Sequence, residues 1–472
     1  MGTMASASER SLTLDCVVLG GGPAGTAIAG LLARWGRRVA LLHLSGEGGG
    51  LAEETLVPGA SNVIERLGFT DCIQRAGQIG LPRQGSLWEG EEFKWRDLNE
   101  ENRGWQVRRG ELDERLRGTV AEAGVEVIEV SKVLGPLADG EPVRAQRRGG
   151  EDVEIHAEVT VCATGRTTPS SLVDHEVVAE LPTTICVHAR VQDTAREREG
   201  SVIEAVQEGW LWWLPSTEGG ANLALFADSE EVRELGREEV WQRAIRGARG
   251  PAAGIELESV GGTITTPTFR RSLCEALLVG DAAATVDPLS SQGIEKAFAS
   301  AEDAAYSVNT ILEAPELTEA VREERHAWDR EVFRAHARTT LENYARVERF
   351  TDAPFWARRR TALEEWTQAR HVLAPGARLT PSDKVSEVAT LKRKSRRLVE
   401  ATGLQLSRDS QTLRELHGIE VGALMHLFDT PRSVSATIEL AGKDARFCAS
   451  SRAGLSLAIE ELVARGFLVE AP

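Results

Sequence analysis

The chain has 472 residues, 42% of them hydrophobic and 27% charged, which excludes a disordered or fibrous protein and allows a large core in two or three domains. Its formal net charge of −17 opposes non-specific binding to nucleic acid or to an anionic membrane surface, because both are polyanions. No apolar run reaches membrane-span length, the start from Met1 to Arg10 is polar, and six scattered cysteines without a Cys-x-x-Cys pair indicate neither zinc nor a disulfide framework; a cytoplasmic protein with no metal and no membrane partner is expected.

The first element is an apolar run of strand length, Leu14 to Leu19, that ends in Gly20-x-Gly22-Pro23-Ala24-Gly25 and passes directly into an Ala-rich helical pattern from Ala24 to Trp35. Strand, glycine turn and helix in that order make a dinucleotide site: Gly20 allows the tight turn, Gly22 lets backbone approach the phosphates, and Gly25 lets helix and strand pack closely. Arg38 to His43 reads as the second strand of the βαβ unit, with His43 where an acidic residue usually meets the ribose hydroxyls.

A glycine-rich loop, Gly46 to Gly50, leads to Glu53-Glu54-Thr55-Leu56-Val57-Pro58 and a helical pattern from Ala60 to Leu67 closed by Gly68. The Glu54 to Pro58 segment resembles the Gly-Glu-Ser-x-x-Pro segment of flavin-dependent halogenases and their monooxygenase relatives. The resemblance implies an FAD site that includes Glu54 and Thr55. In the halogenases a lysine follows that proline by one helical turn and acts on hypohalous acid, whereas this chain has Ser61, Asn62 and Val63 there.

Leu81 to Trp105 alternates apolar and polar residues and reads as strands carrying Trp88, Trp95 and Trp105. In the segment Val107 to Asp113, the resemblance puts Arg109 over the cofactor; a helix to Gly124 and a strand from Val125 to Val130 return the chain to the nucleotide sheet. Glu158 to Arg166 resembles the Ala-Thr-Gly element that closes that sheet. Thr183 to Phe226 is β in pattern and holds Gly209-Trp210-Leu211-Trp212-Trp213-Leu214-Pro215, similar to the Trp-x-Trp-x-Ile-Pro segment of the halogenases. Trp210 and Trp212, two apart on a strand, face the same way and make an apolar wall suited to excluding water.

Ala276 to Ala297 resembles the second FAD fingerprint of the superfamily: a strand, Gly280-Asp281, then Pro288, Ser290, Ser291, Gln292, Gly293 and Ile294 opening a helix. The resemblance gives Asp281 the ribityl hydroxyls and gives the amides near Gln292, Gly293 and Ile294 the flavin pyrimidine carbonyl. Ser290 stands where halogenases of free tryptophan often carry a glutamate. The Asp287 to Ile294 stretch, with Tyr344 to Phe350 and Ala353 to Arg359, is similar to the halogenase-like flavoproteins that oxygenate tryptophan during tryptophylquinone biogenesis. The wider resemblance covers about Leu12 to Arg360.

Ser382 to Arg397 is rich in Lys and Arg and reads as a linker or exposed helix; three helical patterns and a strand between Val421 and Val469 suggest a winged-helix-like unit that grips a peptide or only stabilises the fold. The expected architecture is α/β, a Rossmann-like FAD-binding fold of the flavoprotein hydroxylase type with a β-sheet substrate region and a C-terminal winged-helix-like domain. Residues 10–375 form the monooxygenase domain, with FAD-binding parts 12–75, 105–180 and 270–312 and substrate-binding parts 76–104, 181–269 and 320–375; residues 380–472 form the linker and final domain. The implied function is FAD-dependent hydroxylation of a tryptophan in a peptide or protein through a C4a-hydroperoxyflavin. Ser291, Gln292, Trp210 and Trp212 are the catalytic candidates, O2 is a partner, and a flavin reductase or NAD(P)H is the electron source. A halogenase of tryptophan or a related aromatic, and a non-catalytic assembly factor, are the alternatives.

Overall fold

The computed structural model describes residues 10–44, 53–100, 103–137, 139–192, 200–255, 261–367, 377–406, 412–416, 419–447 and 452–471. The glycine-rich loop read at 46–50, residues 374–376 and Cys448 lie outside them. By internal contacts the chain divides into two units, residues 1–315 with 328–363 and residues 316–327 with 364–472.

In the first unit the strand Arg10–Leu19 lies at the centre of a parallel sheet, paired with Val39–Leu44 on one side and Asp152–Cys162 on the other. Glu126–Leu134 extends one edge and Leu277–Leu278 the other, while Val143–Arg147 joins Glu126–Leu134 to Asp152–Cys162 as an antiparallel strand. The first strand is apolar at consecutive positions because both faces are covered: Cys16 and Val18 enter one core, Val17 and Leu19 the other. The helices Pro23–Arg34, Arg109–Glu122 and Gly293–Glu313 pack into the first of these cores. All the parallel strands end on one side, where an open α/β sheet presents its binding crevice.

A seven-stranded sheet forms the second layer, in the order Gly261–Thr265, Thr184–Val191, Ala221–Asp228, Gly209–Pro215, Gly200–Val206, Arg83–Leu87 and Lys94–Asp97. Its period-two alternation sorts the tryptophans. Leu211 and Trp213 pack with Val240 and Trp241 of the helix Arg237–Gly247, whereas Trp210 and Trp212 pack on the opposite side with Tyr344, Phe355 and Trp356.

A small sheet of Glu53–Leu56, Trp105–Arg108 and Gly77–Ile79 is anchored by Glu53, which is 1% exposed. Its carboxylate accepts from Thr217 N and Oγ1, Ser216 Oγ, Gln106 Nε2 and Asn222 Nδ2 at 2.6–3.1 Å. Five donors replace the water lost on burial, and the next residues on the strand, Glu54 and Thr55, are set against the crevice.

The second unit corrects one reading. Residues 382–397 are neither linker nor exposed helix: Ser386–Lys394 and Arg397–Gln405 pair as an antiparallel hairpin. Its two-residue turn places Ser395 at φ 56, a left-handed position that turns of this length demand but that the sequence marks with no glycine. The helices Val421–His426, Val434–Ala441 and Arg452–Ala464 bury Leu424, Phe428, Ile459 and Leu462 together, and the final strand Leu468–Glu470 pairs with Leu379–Pro381. Glu324, also of this unit, accepts from Thr390 Oγ1 at 2.9 Å.

Candidate active site

The crevice at the strand ends of the first unit is a cleft of about 1150 Å³, somewhat larger than the roughly 300–1,000 Å³ of ordinary small-molecule sites. The first glycine turn forms its floor, and each glycine shows a separate role. Gly20 has φ +116, and a Cβ there would lie 2.2 Å from Ala163 O; a Cβ on Gly25 would lie 1.8 Å from Gly20 O. A Cβ on Gly22 would meet nothing within 4 Å, so the cleft is open at the point where a phosphate would approach backbone. Gly22 caps the helix Pro23–Arg34 without a side-chain hydrogen bond and the first turn holds no acid, leaving the amide end available to an anion.

Glu54, Thr55, Arg109, Asp113, Arg117 and His43 line the cleft above this floor. Arg109 Nη1 donates to Glu54 Oε1 at 2.9 Å and Nη2 to Asp113 Oδ2 at 3.2 Å, and these two carboxylates hold the guanidinium charged. Its Nε is buried with no hydrogen-bond partner among the described residues. Burial lifts Asp113 above the usual carboxylate range against the pull of Arg109. Arg117 donates to Gly21 O at 3.2 Å; burial first and then the Arg117 charge lower the His43 pKa, so His43 is neutral at pH 7 and can meet a hydroxyl. Asp113 and Arg117 escaped the sequence reading, although they follow Arg109 at four-residue spacing on one helix face.

The second fingerprint closes the other side. Gly280 N donates to Ser300 Oγ at 2.9 Å, and Asp281 lines the cleft with Lys296 Nζ at 2.6 Å from Oδ1. Asp287 caps the short turn Pro288–Ser290, Ser291 takes a left-handed conformation at φ 51, and the helix Gly293–Glu313 begins with no side-chain cap on its amides. Pro288, Ser291, Gly293 and Ile294 line the cleft. Gly25, Gly280 and Gln292 are not on its wall; Gly25 and Gly280 are packing positions, the latter with a built Cβ 2.8 Å from Ala24 Cβ.

The aromatic end is built from strand register. Trp210 pairs across from Phe226, and Phe226 from Cys186, so the three stand in one row facing the cleft together with Trp212. The Trp210 and Phe226 rings stack at 3.9 Å between centroids. Trp210 Nε1 donates to Tyr344 OH at 3.1 Å, and Tyr344 OH donates to Asp287 Oδ1 at 2.8 Å. Phe226, Cys186 and the Tyr344 link were missed because residues far apart in sequence meet only through sheet pairing.

No family model matches the chain. A tryptophan 2-halogenase of Chondromyces crocatus is 27% identical over 340 residues, 63% of this chain and 61% of that protein. A digeranylgeranylglycerophospholipid reductase of Thermoplasma acidophilum is 23% identical over 323 residues, 64% of this chain and 79% of that protein. The match thus spans less than two thirds of the halogenase. Among solved structures, the peptidyl tryptophan dihydroxylase QhpG, essential for tryptophylquinone cofactor biogenesis, has a TM-score of 0.69 at 22% identity and covers 96% of this chain and 99% of its own. The flavin-dependent halogenase CmlS has a TM-score of 0.71 at 20% identity, covering 98% and 96%. The chain has the halogenase-like fold of FAD-dependent oxidoreductases, and FAD is the cofactor of that superfamily. The open space at Gly22, two uncapped helix ends and the unpartnered Arg109 Nε fit such a group.

Proposed function

We propose that this chain is an FAD-dependent monooxygenase that hydroxylates a tryptophan held in a peptide or protein, as a step in making a quinone cofactor. The observation that carries the reading is a likeness to a peptidyl tryptophan dihydroxylase over 96% of this chain, second unit included, in a chain with no lysine at residues 53–67; a halogenase structure reaches as far, over 98%, so extent alone does not decide. Likeness to a brominase and to a reductase-like flavoprotein covers 75% and 71%.

Reduced FAD, once bound, supplies the activation of O2. The protein's own groups do the rest. The amides after Gly22 would hold the pyrophosphate, Arg109 and Glu54 would face the cofactor, Asp281 would take sugar-chain hydroxyls, and the amide end of the helix Gly293–Glu313 would favour negative charge on the reduced ring. Trp210, Trp212 and Phe226 exclude water and offer one apolar wall against which a planar aromatic substrate lies. A flavin reductase or NAD(P)H delivers the electrons, and the winged-helix-like unit gives the client a second grip.

Purified protein supplied with FAD, a flavin reductase and 18O2 should convert a tryptophan-containing peptide to a product that carries 18O. Efficient labelling of free tryptophan with none on the peptide would refute the peptide reading. The second reading, halogenation, is favoured by the tryptophan 2-halogenase relative and by the equal reach of the halogenase structure; the absence of lysine from residues 53–67 weighs against it.

A further inference from the structure

We propose that Asp287 is the base that removes the ring proton when an aromatic C–H bond in this cleft becomes C–O. This rests on the monooxygenase reading. The overall change consumes an aromatic ring, O2, two electrons from reduced flavin and two protons; one oxygen enters the ring and the other leaves as water. At the ring carbon a π pair forms the new C–O bond, the C–H pair then returns to the ring, and the hydrogen departs as a proton that needs an acceptor.

Four carboxylates line the cleft, and three are committed to cations: Glu54 and Asp113 to Arg109, and Asp281 to Lys296. Asp287 has no ion pair within 4.0 Å among the described residues. It is 5% exposed, and its Oδ1 is filled by Leu289 N at 3.0 Å and Tyr344 OH at 2.8 Å. Oδ2 makes no hydrogen bond among the described residues and belongs to a side chain on the cleft wall, beside Trp210, Phe226 and Ser291. The one oxygen with no hydrogen bond among the described residues thus belongs to a side chain that lines the cleft.

Tyr344 is the positioning residue. It is 1% exposed and ties Asp287 to Trp210, fixing the base against the wall that orients the substrate. Arg359, 1% exposed, lies over the Phe355 and Tyr344 rings at 3.6 and 5.3 Å and donates to Thr184 Oγ1, so its charge supports an ionised Asp287 without occupying it. Burial outweighs that support and lifts Asp287 above the ordinary carboxylate range, which makes it a stronger base.

The test uses Asp287→Asn and Tyr344→Phe in full-length protein, each checked for FAD binding and circular dichroism like the wild type. With a peptide whose indole ring is deuterated, Asp287→Asn should react about 10²-fold or more slowly and show a primary isotope effect that the wild type lacks. Tyr344→Phe should slow the reaction less and shift the acid limb of the pH profile. An Asp287→Asn variant with wild-type rate and no isotope effect would overturn the assignment. Infrared difference spectra of the FAD-free protein judge it without turnover: a carboxyl band titrating above the ordinary range, lost in Asp287→Asn and displaced in Tyr344→Phe, supports it, whereas titration in the ordinary range overturns it. If the wild type oxygenates no aromatic, the monooxygenase reading falls and the infrared arm still decides whether Asp287 is so poised.

Discussion

Lys296 Nζ lies 2.6 Å from Asp281 Oδ1, and the two side chains are 3% and 29% exposed. The same ammonium donates to Ala284 O, so a buried cation fixes the turn on which Asp281 meets the cleft. Lys296→Met keeps the stem but leaves Asp281 and the Ala284 carbonyl without their donor. Breaking a buried pair costs about 3–5 kcal/mol, and partial exposure of Asp281 lowers the expected loss to roughly 2–3. Urea unfolding should show that loss together with weaker FAD binding, and unchanged stability would show the pair to be incidental.

The glycines of the first turn separate binding from folding. A methyl on Gly22 enters open space and costs about 0.5–1 kcal/mol at a helix N-cap, whereas one on Gly25 collides with Gly20 O. Gly22→Ala should therefore fold normally and bind FAD weakly, while Gly25→Ala should yield little soluble protein. Fluorescence titration with FAD and the midpoint of thermal unfolding test both; tight FAD binding by Gly22→Ala would contradict the phosphate role of that turn.

Glu53 faces five donors inside the protein. Glu53→Gln exchanges one accepting oxygen for an NH2 that points at other donors, leaving them unsatisfied. A loss of about 2–4 kcal/mol follows from one or two buried donors without partners. Denaturant unfolding measures it, and a loss below about 0.5 kcal/mol would mean that the side chain or water re-forms the network.

These positions show how much was readable in advance. The roles of Gly20, Gly22 and Gly25 follow from local geometry that three residues impose, and the facing of Trp210 and Trp212 follows from strand period alone. The Asp287–Tyr344–Trp210 chain spans 57 and then 134 residues of sequence, so no local rule could join it. The hairpin at 386–405 was misread because Lys and Arg favour helices while pairing decides strands, and its Ser395 turn lacks the usual glycine. Lys296 was passed over for a further reason: helical position says nothing about which cation will be buried.

His336 gives a pH-dependent prediction. Burial, with a smaller push from Lys296, lowers its pKa to about 4 from an ordinary 6.5. A group with a depressed folded pKa contributes stability that is present above the unfolded value and lost as pH falls through the folded one. Stability should therefore decline between about pH 6.5 and 4, by roughly 1–2 kcal/mol after allowance for the partial exposure of the ring. The fall in melting temperature across that window should be shallower in His336→Gln than in the wild type, and identical slopes would rule out His336 as its source.

The last prediction concerns halide. Halogenation in the resembling enzymes needs an amine one helical turn beyond the proline at position 58, to carry hypohalous acid to the substrate. Here that turn is the start of the helix Ser61–Leu67, with Ser61 and Asn62 exposed and no lysine in the element. Among the described residues, the cleft wall carries one lysine, Lys132, on the strand Glu126–Leu134 of the nucleotide sheet. Lys296 is held by Asp281 and a backbone carbonyl. Among the described residues no free amine lines the cleft beside Trp210 and Trp212 to meet an oxidised halide, whereas direct oxygen transfer to a ring held there needs none. Turnover in bromide buffer should accordingly give oxygenated product free of bromine, at the rate seen without bromide. Mass spectrometry of the product reads this directly, and a brominated peptide would move the assignment to the halogenases and make Lys132 the first residue to replace.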